Sequence, residues 1–574
     1  MWAAVFVLMP LMRGFAQAQS TTRLAHSVPS GAAFITRAKT ALPAMPMDIA
    51  VRLKLRNTAE MEQLEHDQQD PSSPSYHQWL TAEEFNARFG PTRADADTVA
   101  QWLKAEGFAV TGIDLDRHVI TAKANAAVVA HALDVAIVSN GTLFANTTDP
   151  AVPAVLAPLI ANIEGLHNTF AVTPTLSGHR VIGPAESDNL SSPDLRTAPG
   201  GAFTPADLRT YYDEAALIKG GNAGTKAPDC VALPETSDLH GSSVNAFTTG
   251  FRLPPVKLTK VYSSGRGIHD YNDAEIEAAL DVEYAHLVAP ATPIRLYVGG
   301  GVNNLQDGIT AAVMNNRCGV ISISYAYCGQ PGSFFTETLG SLFSQAALQG
   351  QTVFVSSGDA GAAGLAPNGF GCSSGDSVNV SEMSAEPDVT SVGGTQFEPL
   401  YNAAGEDIST VEDGLDSAWN ENDGRFLGAT GGGISAVFTR PSWQNGIGVP
   451  SGSMRMIPDV ALGASGSEPG YYIVTISGRK NLLEVVAGTS IAAPLWAGYT
   501  RLIAKASHGS RLGLMNPRLY ELGNMGSESG LIDVVVGNNT FHGVTGYFAG
   551  PGYDMTTGWG SPDMSILLQS YTAK

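Results

Sequence analysis

Hydrophobic and polar positions follow one rhythm up to about residue 170 and another beyond about residue 203. In the first part short alternating and helical stretches take turns. Asp48 to Leu55 alternates as a half-buried strand, and Thr58 to Gln68 has helical spacing. Asp70 to Tyr76 is a Pro/Ser turn cluster, after which Thr81 and Glu84 stand at capping-box spacing and open a helix through Phe85 and Phe89. Asp95 to Glu106 puts Val99, Trp102 and Leu103 on one helical face. Phe108 to Ile113 and His118 to Ala122 read as strands, and Ala126 to Leu133 as a helix. Elements in this order predict an α+β ferredoxin-like module over residues 25–170.

Residues 171 to about 205 carry Pro, Gly, Ser and Asp with few large apolar groups, which predicts an exposed linker (171–202) open to proteolytic nicking. A folded module joined to the rest by a cleavable linker is the layout of a zymogen. From Phe203 to the end (203–574) the strands become continuous apolar runs: Cys230 to Leu233, Pro293 to Val298, Val320 to Tyr325 and Thr352 to Ser356, with a helical run from Phe334 to Ala347. That rhythm predicts an α/β domain, a parallel sheet with helices on both faces, whose chemistry gathers at the carboxyl ends of the strands.

Two loops meet that description. Ser357-Gly358-Asp359-Ala360-Gly361 follows one strand, and Gly488-Thr489-Ser490 lies between the strand-like Leu482 to Val486 and a helical run from Ile491 to Ala504. A serine at a helix N-cap lies where backbone N–H groups point outward and negative charge is favoured. The same pattern also describes an ordinary cap, so the serine needs a base to count as a nucleophile. His240-Gly241-Ser242 has a histidine, but its nearest upstream acid, Asp238, is too close to be a separate residue orienting the ring, and a surface-loop histidine is expected there. In Asp273 to Glu283, Ile276, Leu280 and Leu287 fall near one helical face, and Glu277 and Asp281 are neighbours at i and i+4. Two adjoining carboxylates share a proton and raise one pKa, which suits base and acid work at mildly acidic pH. A solvated acidic helix face would show the same spacing.

Composition narrows the partners. With 54 acidic against 33 basic residues the formal net charge is −21, which disfavours nucleic acid and anionic membranes. Met1 to Met12 is an apolar run too short to span a bilayer and is followed by Ala16-Gln17-Ala18, predicting a secretory signal peptide over 1–18 and no inserted membrane segment. The four cysteines fit no zinc spacing and allow three disulfide pairings. Cys230 with Cys318 across neighbouring strands, leaving Cys328 with Cys372, is the preferred one.

Glu-x-x-x-Asp on a helix, Ser-Gly-Asp-x-Gly after a strand and Gly-Thr-Ser-x-x-x-Pro, in that order, resemble the sedolisins, the kumamolisin-like serine-carboxyl peptidases. Asp70 to Leu80 is similar to part of the pro-kumamolisin activation domain, and Thr204 to Arg209 to the start of the peptidase. Ser391 to Thr395, Gly431 to Ser435 and Pro458-Asp459-Val460 also match. The resemblance implies a subtilisin-like fold in which Ser490 attacks the scissile carbonyl, Glu277 is the general base, Asp281 orients it and Asp359 serves the oxyanion. It implies one structural Ca²⁺ held by the side chains of Asp533 and Asp554 and the carbonyls of Val534, Gly550 and Gly552, an all-oxygen set suited to that ion. It leaves the strand Cys230 to Glu235 to shape the fold, outside the catalytic group. The expectation is a secreted, monomeric acid endopeptidase acting on proteins or peptides, with its own prodomain as intramolecular inhibitor. The competing expectations are a non-catalytic binding relative, a tripeptidyl-peptidase on the same chemistry, and a histidine-dependent protease using His240.

Overall fold

The computed structural model describes residues 20–573 apart from 36–37, 186–201, 215–217, 219–228, 264–268, 270–272, 301–303, 369–370, 404–406, 479 and 508–510. The predicted signal peptide lies outside the described residues.

The N-terminal module is built as its periodicity predicts. Strands Ala109–Asp114, Val119–Asn125, Pro46–Leu53 and Ile160–Glu164 lie side by side in that order, all antiparallel. In chain order this is 2-3-1-4, the ferredoxin-like arrangement. Helix Ala82–Phe89 starts with a capping box formed by Thr81 and Glu84, each satisfying the other's backbone N–H. Met61, Phe85 and Phe89 do not join this module's own core. They pack on Leu348 of the second domain, where Leu80 N–H donates to the Leu348 carbonyl at 3.0 Å. The turn-and-Trp motif after Asp70 is therefore a docking element.

The second domain centres on a sheet ordered Leu258–Tyr262, Ile294–Val298, Val231–Glu235, Val320–Ile323, Thr352–Ser356 and Thr390–Gln396, all parallel. Val460–Gly463 adds in parallel to the last strand, and Ser417–Ala418 closes the edge antiparallel. Helices Asp273–Val288 and Thr489–Ala506 cover one face, and helices Asn304–Asn315 and Gly340–Leu348 the other. Both faces are therefore dry, which is why the strands read as unbroken apolar runs. The helical run predicted from Phe334 begins as a π-helix, Phe334–Leu339, before becoming α at Gly340. Cys230 pairs with Cys318 and Cys328 with Cys372, the preferred connectivity.

Pro458-Asp459 belongs to the packing of this domain. Arg455 and Asp459 form an ion pair at 2.6 Å with neither side chain exposed, and Tyr520 O–H donates to the other Asp459 oxygen at 2.9 Å. Removing one partner of a buried pair strands the other charge, so Arg455→Ala is expected to destabilise the fold by ~3–5 kcal/mol, read in chemical denaturation.

Two expectations are corrected. The stretch 171–205 is not an exposed linker throughout. Ala171–Pro174 pairs antiparallel with Tyr325–Cys328, and Gly178–Pro184 pairs antiparallel with Lys480–Ala487. Few large side chains are needed there because the segment is held by its backbone. Residues 186–201 lie outside the described residues. The strand leading to Ser490 is also not part of the parallel sheet. Lys480–Ala487 sits between Gly178–Pro184 and Gly470–Ser477 in a separate four-stranded sheet.

Candidate active site

Ser490 is the second residue of helix Thr489–Ala506, whose N-cap is Gly488 and not Ser490 itself. One step inside the first turn, its N–H still lacks an intrahelical acceptor and points outward. It donates to the carbonyl of Thr175 at 3.2 Å. Gly488 takes φ 145°, and a side chain there would begin 2.4 Å from the Thr175 carbonyl oxygen and 2.7 Å from Asp359 Oδ2. Only glycine lets these three groups meet.

Asp359 follows the strand Thr352–Ser356. Its Oδ1 accepts from Thr489 N–H at 2.8 Å and from Thr489 Oγ1 at 2.7 Å. Its Oδ2 is buried and takes no hydrogen bond among the described residues. Burial pushes this carboxyl up to about 8, against the pull of the Thr489 donors. The free oxygen thus belongs to a neutral acid below that pH, able to donate toward the spot the Thr175 carbonyl occupies.

Helix Asp273–Val288 is not a solvated acidic face. Glu277 and Asp281 are both fully buried. Both Glu277 oxygens are without a well-formed hydrogen bond, while the Ser490 hydroxyl is near enough to favour their charge. Burial and then Asp281 raise Glu277 well above the usual carboxylate range. Burial lifts Asp281 to about 7, and Ser324 Oγ donates to its Oδ1 at 2.7 Å. Ser490 and Asp359 thus adjoin one carbonyl, that of Thr175, with Glu277 beside the Ser490 hydroxyl and Asp281 next to Glu277.

A fourth carboxyl was not foreseen. Glu235, fully buried at the end of strand Val231–Glu235, lies against Asp281 and accepts from Tyr325 O–H at 2.7 Å. Burial, Asp281 and Glu277 all raise it. The strand set aside as merely structural thus supplies the third member of a carboxyl row. The signal was present: an acidic residue closing a buried parallel strand stands where such folds keep their chemistry. His240 is elsewhere. It is half-buried and its Nδ1 bonds Glu275 Oε1, whose backbone contact with His240 N–H is 3.1 Å.

At the C-terminal end, Asp554 is buried and its Oδ1 accepts from Thr556 N–H and Thr557 N–H, both at 2.9 Å. Asp533 Oδ2 accepts from Gly552 N–H at 2.7 Å, its Oδ1 is buried without a partner among the described residues, and Asp554 adds repulsion. Two crowded carboxylates with an orphaned oxygen fit a hard cation.

A serine hydroxyl beside a buried carboxyl pair, with an outward-facing helix N–H, on a subtilisin-like sheet fits a serine-type peptidase. The comparisons carry this to a family. Residues 34–169 match the Pro-kumamolisin activation domain. Kumamolisin of Bacillus sp. (strain MN-32) is 31% identical over 442 residues, 74% of this chain and 72% of that protein. Sedolisin of Pseudomonas sp. (strain 101) is 28% identical over 90% of this chain and 86% of its own length. Tripeptidyl-peptidase 1 of Rattus norvegicus is 26% identical over 92% of each. The solved structure of Pseudomonas sedolisin, a serine-carboxyl proteinase, complexed with two molecules of pseudo-iodotyrostatin superposes with a TM-score of 0.53 at 28% identity, covering 65% of this chain and 98% of that one. The chain belongs to the sedolisin family of serine-carboxyl peptidases, made as zymogens with an activation domain that implies an intramolecular inhibitor.

Proposed function

We propose that the protein is a secreted endopeptidase active at acidic pH, with residues 25–170 as activation domain and 203–574 as peptidase. Ser490 Oγ attacks the scissile carbonyl while Glu277 takes its proton, Asp281 orients Glu277 and shares that proton, and Glu235 extends the row. The Ser490 N–H and the protonated Asp359 carboxyl donate to the oxyanion. The observation supporting this is that Ser490 and Asp359 adjoin a single carbonyl, that of Thr175, with the Ser490 N–H already donating to it and Glu277 beside the Ser490 hydroxyl. Endopeptidase action is favoured over tripeptidyl-peptidase action because extended chain passes the site in both directions. Four residues pair on the Ala171–Pro174 side, more than the three a tripeptidyl site must hold. The test is proteolysis of a denatured protein across pH after acid incubation, wild type beside Ser490→Ala. Activity in the wild type alone, greatest at acidic pH, is expected, and activity centred near neutral pH would return the base to a histidine.

We assign one structural Ca²⁺ to the side chains of Asp533 and Asp554 with the carbonyls of Val534, Gly550 and Gly552. The ion would neutralise the two carboxylates and hold the Gly-rich loop in place. Chelation with EDTA is expected to lower the melting temperature, with recovery on adding Ca²⁺ and not Mg²⁺. A melting curve indifferent to EDTA, together with no bound Ca²⁺ by elemental analysis, would remove the assignment.

A further inference from the structure

Three side chains from separate segments of the peptidase domain stand together and have no part in the hydrolytic group. His240 is the N-cap of helix Gly241–Gly250, which follows the strand Val231–Glu235. His269 lies between the strand Leu258–Tyr262 and helix Asp273–Val288, and Glu275 is in the first turn of that helix. One ring nitrogen from each histidine and a Glu275 oxygen all lie within 4.8 Å of one another. The two rings are side by side, with centroids 4.3 Å apart. Glu275 Oε1 is bonded to His240 Nδ1, and Glu275 Oε2 is 3.8 Å from His269 Nδ1. Only 6% of Glu275 is exposed, and its Oε2 takes no hydrogen bond among the described residues. A buried carboxylate oxygen left in that state costs free energy, which a cation beside it would offset.

The surroundings suit a ligating histidine. Asp238 Oδ2 is 3.7 Å from Nε2 of His269, the nitrogen on the far side of the ring from Glu275. Asp238 is itself fixed by Lys260 Nζ at 2.6 Å, Tyr262 O–H at 2.7 Å and Leu239 N–H at 2.7 Å. A carboxylate in that place orients a metal-bound imidazole and raises its basicity. Lys260 offsets the charge of Asp238, so Glu275 supplies the negative charge that faces an ion. Each imidazole side chain is 31% exposed, which gives an ion a way in and leaves a fourth position to water. Two imidazoles and one carboxylate are a zinc ligand set, whereas calcium and magnesium take oxygen alone. Ligand atoms of a tetrahedral zinc stand about 3.4 Å apart, so side-chain shifts of about an ångström close the trio on the ion.

We propose that His240, His269 and Glu275 form a Zn²⁺ site, with Asp238 as the outer partner of His269. It is separate from the Ca²⁺ site assigned to Asp533 and Asp554 and differs from it in having nitrogen ligands. Glu275 and Glu277 are two residues apart and do not share a helix face. The ion is therefore a clamp and takes no part in the proton transfers. It ties the start of helix Gly241–Gly250, the segment holding His269 and the first turn of the helix that carries Glu277 and Asp281.

The experiment is calorimetric titration of Zn²⁺ into the full-length Ser490→Ala chain at pH about 7.5, where ligating imidazoles are neutral, with Ca²⁺ in excess throughout. One ion per chain is expected, with a Kd of about 10 µM or below. Zn²⁺ at about a hundred times that Kd should also raise the melting temperature. His269→Ala is expected to weaken binding at least about a hundredfold, and Asp238→Asn about tenfold through the outer partner. Since either variant could fold poorly, Co²⁺ is bound to the unsubstituted site and is expected to give the visible absorption of a four-coordinate nitrogen and oxygen site, displaced by Zn²⁺. A Kd weaker than about 10 µM, or a Co²⁺ spectrum of six oxygen ligands, overturns the site. Binding unchanged in His269→Ala likewise overturns it, as an adventitious ion on other carboxylates. Displacement of Zn²⁺ by the excess Ca²⁺ overturns the choice of ion.

Discussion

Ser490→Ala is expected to reduce peptide hydrolysis by about 10⁴–10⁶-fold, the range found when one member of a serine-type catalytic group is lost. Glu277→Gln should fall in the same range with little structural change. Glutamine keeps the size of this buried side chain, yet has no ionised form to take the serine's proton. The double variant should be no worse than either single one, because each alone disables the same step. Both single variants should also stay full-length on acidification. Burst kinetics with an active-site ester and intact mass would read the two effects separately. A Glu277→Gln enzyme within tenfold of wild type would show that another group deprotonates Ser490, and His240→Ala would then be the variant to compare. With His240 held on Glu275, that variant is expected to keep its activity.

Much of this site was legible without coordinates because its chemistry sits on local motifs. Glu277 and Asp281 are one helical turn apart, so their adjacency needs no tertiary information. Asp359 follows a strand in a glycine-rich loop, and Ser490 follows another strand one step past the Gly488 cap of its helix. Whether the carboxylates faced solvent was not legible: an exposed acidic face and a buried pair share the same spacing, and only packing decides between them. Glu235 was missed because its link to Asp281 crosses from sheet to helix. The linker was misjudged for a related reason. Composition marks 171–184 as turn-like, yet its strands form through backbone pairing with Tyr325–Cys328 and Lys480–Ala487, which low side-chain hydrophobicity does not forbid. The ferredoxin-like module followed its periodicity closely, since half-buried antiparallel strands and capped helices declare themselves residue by residue.

The alkaline side of the pH profile should belong to Asp359. Its carboxyl is raised to about 8 by burial, so it is protonated below that pH and can donate from Oδ2. Above it the group is an anion facing a carbonyl oxygen that must itself become negative. Whatever activity extends above the acidic maximum is therefore expected to be lost as pH rises through about 8. Asp359→Ala, which removes a donor at every pH, should cost about 10²–10³-fold in kcat. Asp359→Asn is the sharper test. An amide N–H₂ donates at any pH, so this variant should lose the alkaline fall even if its maximum rate is lower. An Asp359→Asn profile that falls at the same pH as wild type would place the titrating group elsewhere. The same sign governs stability. Asp359 is joined by Glu65, Glu214, Glu283 and Asp416, all raised chiefly by burial. Acids whose folded pKa exceeds the unfolded one bind more protons in the native state, so their contribution is full below the unfolded value and lost as pH rises through the folded one. The Ser490→Ala protein, which cannot digest itself, should thus melt at a higher temperature at pH about 5 than at pH about 8, the reverse of a fold held by ionised surface pairs. Acids raised by burial at separate places in the fold thus disfavour alkaline pH both for the oxyanion donor and for stability, which ties the working range of the enzyme to its packing.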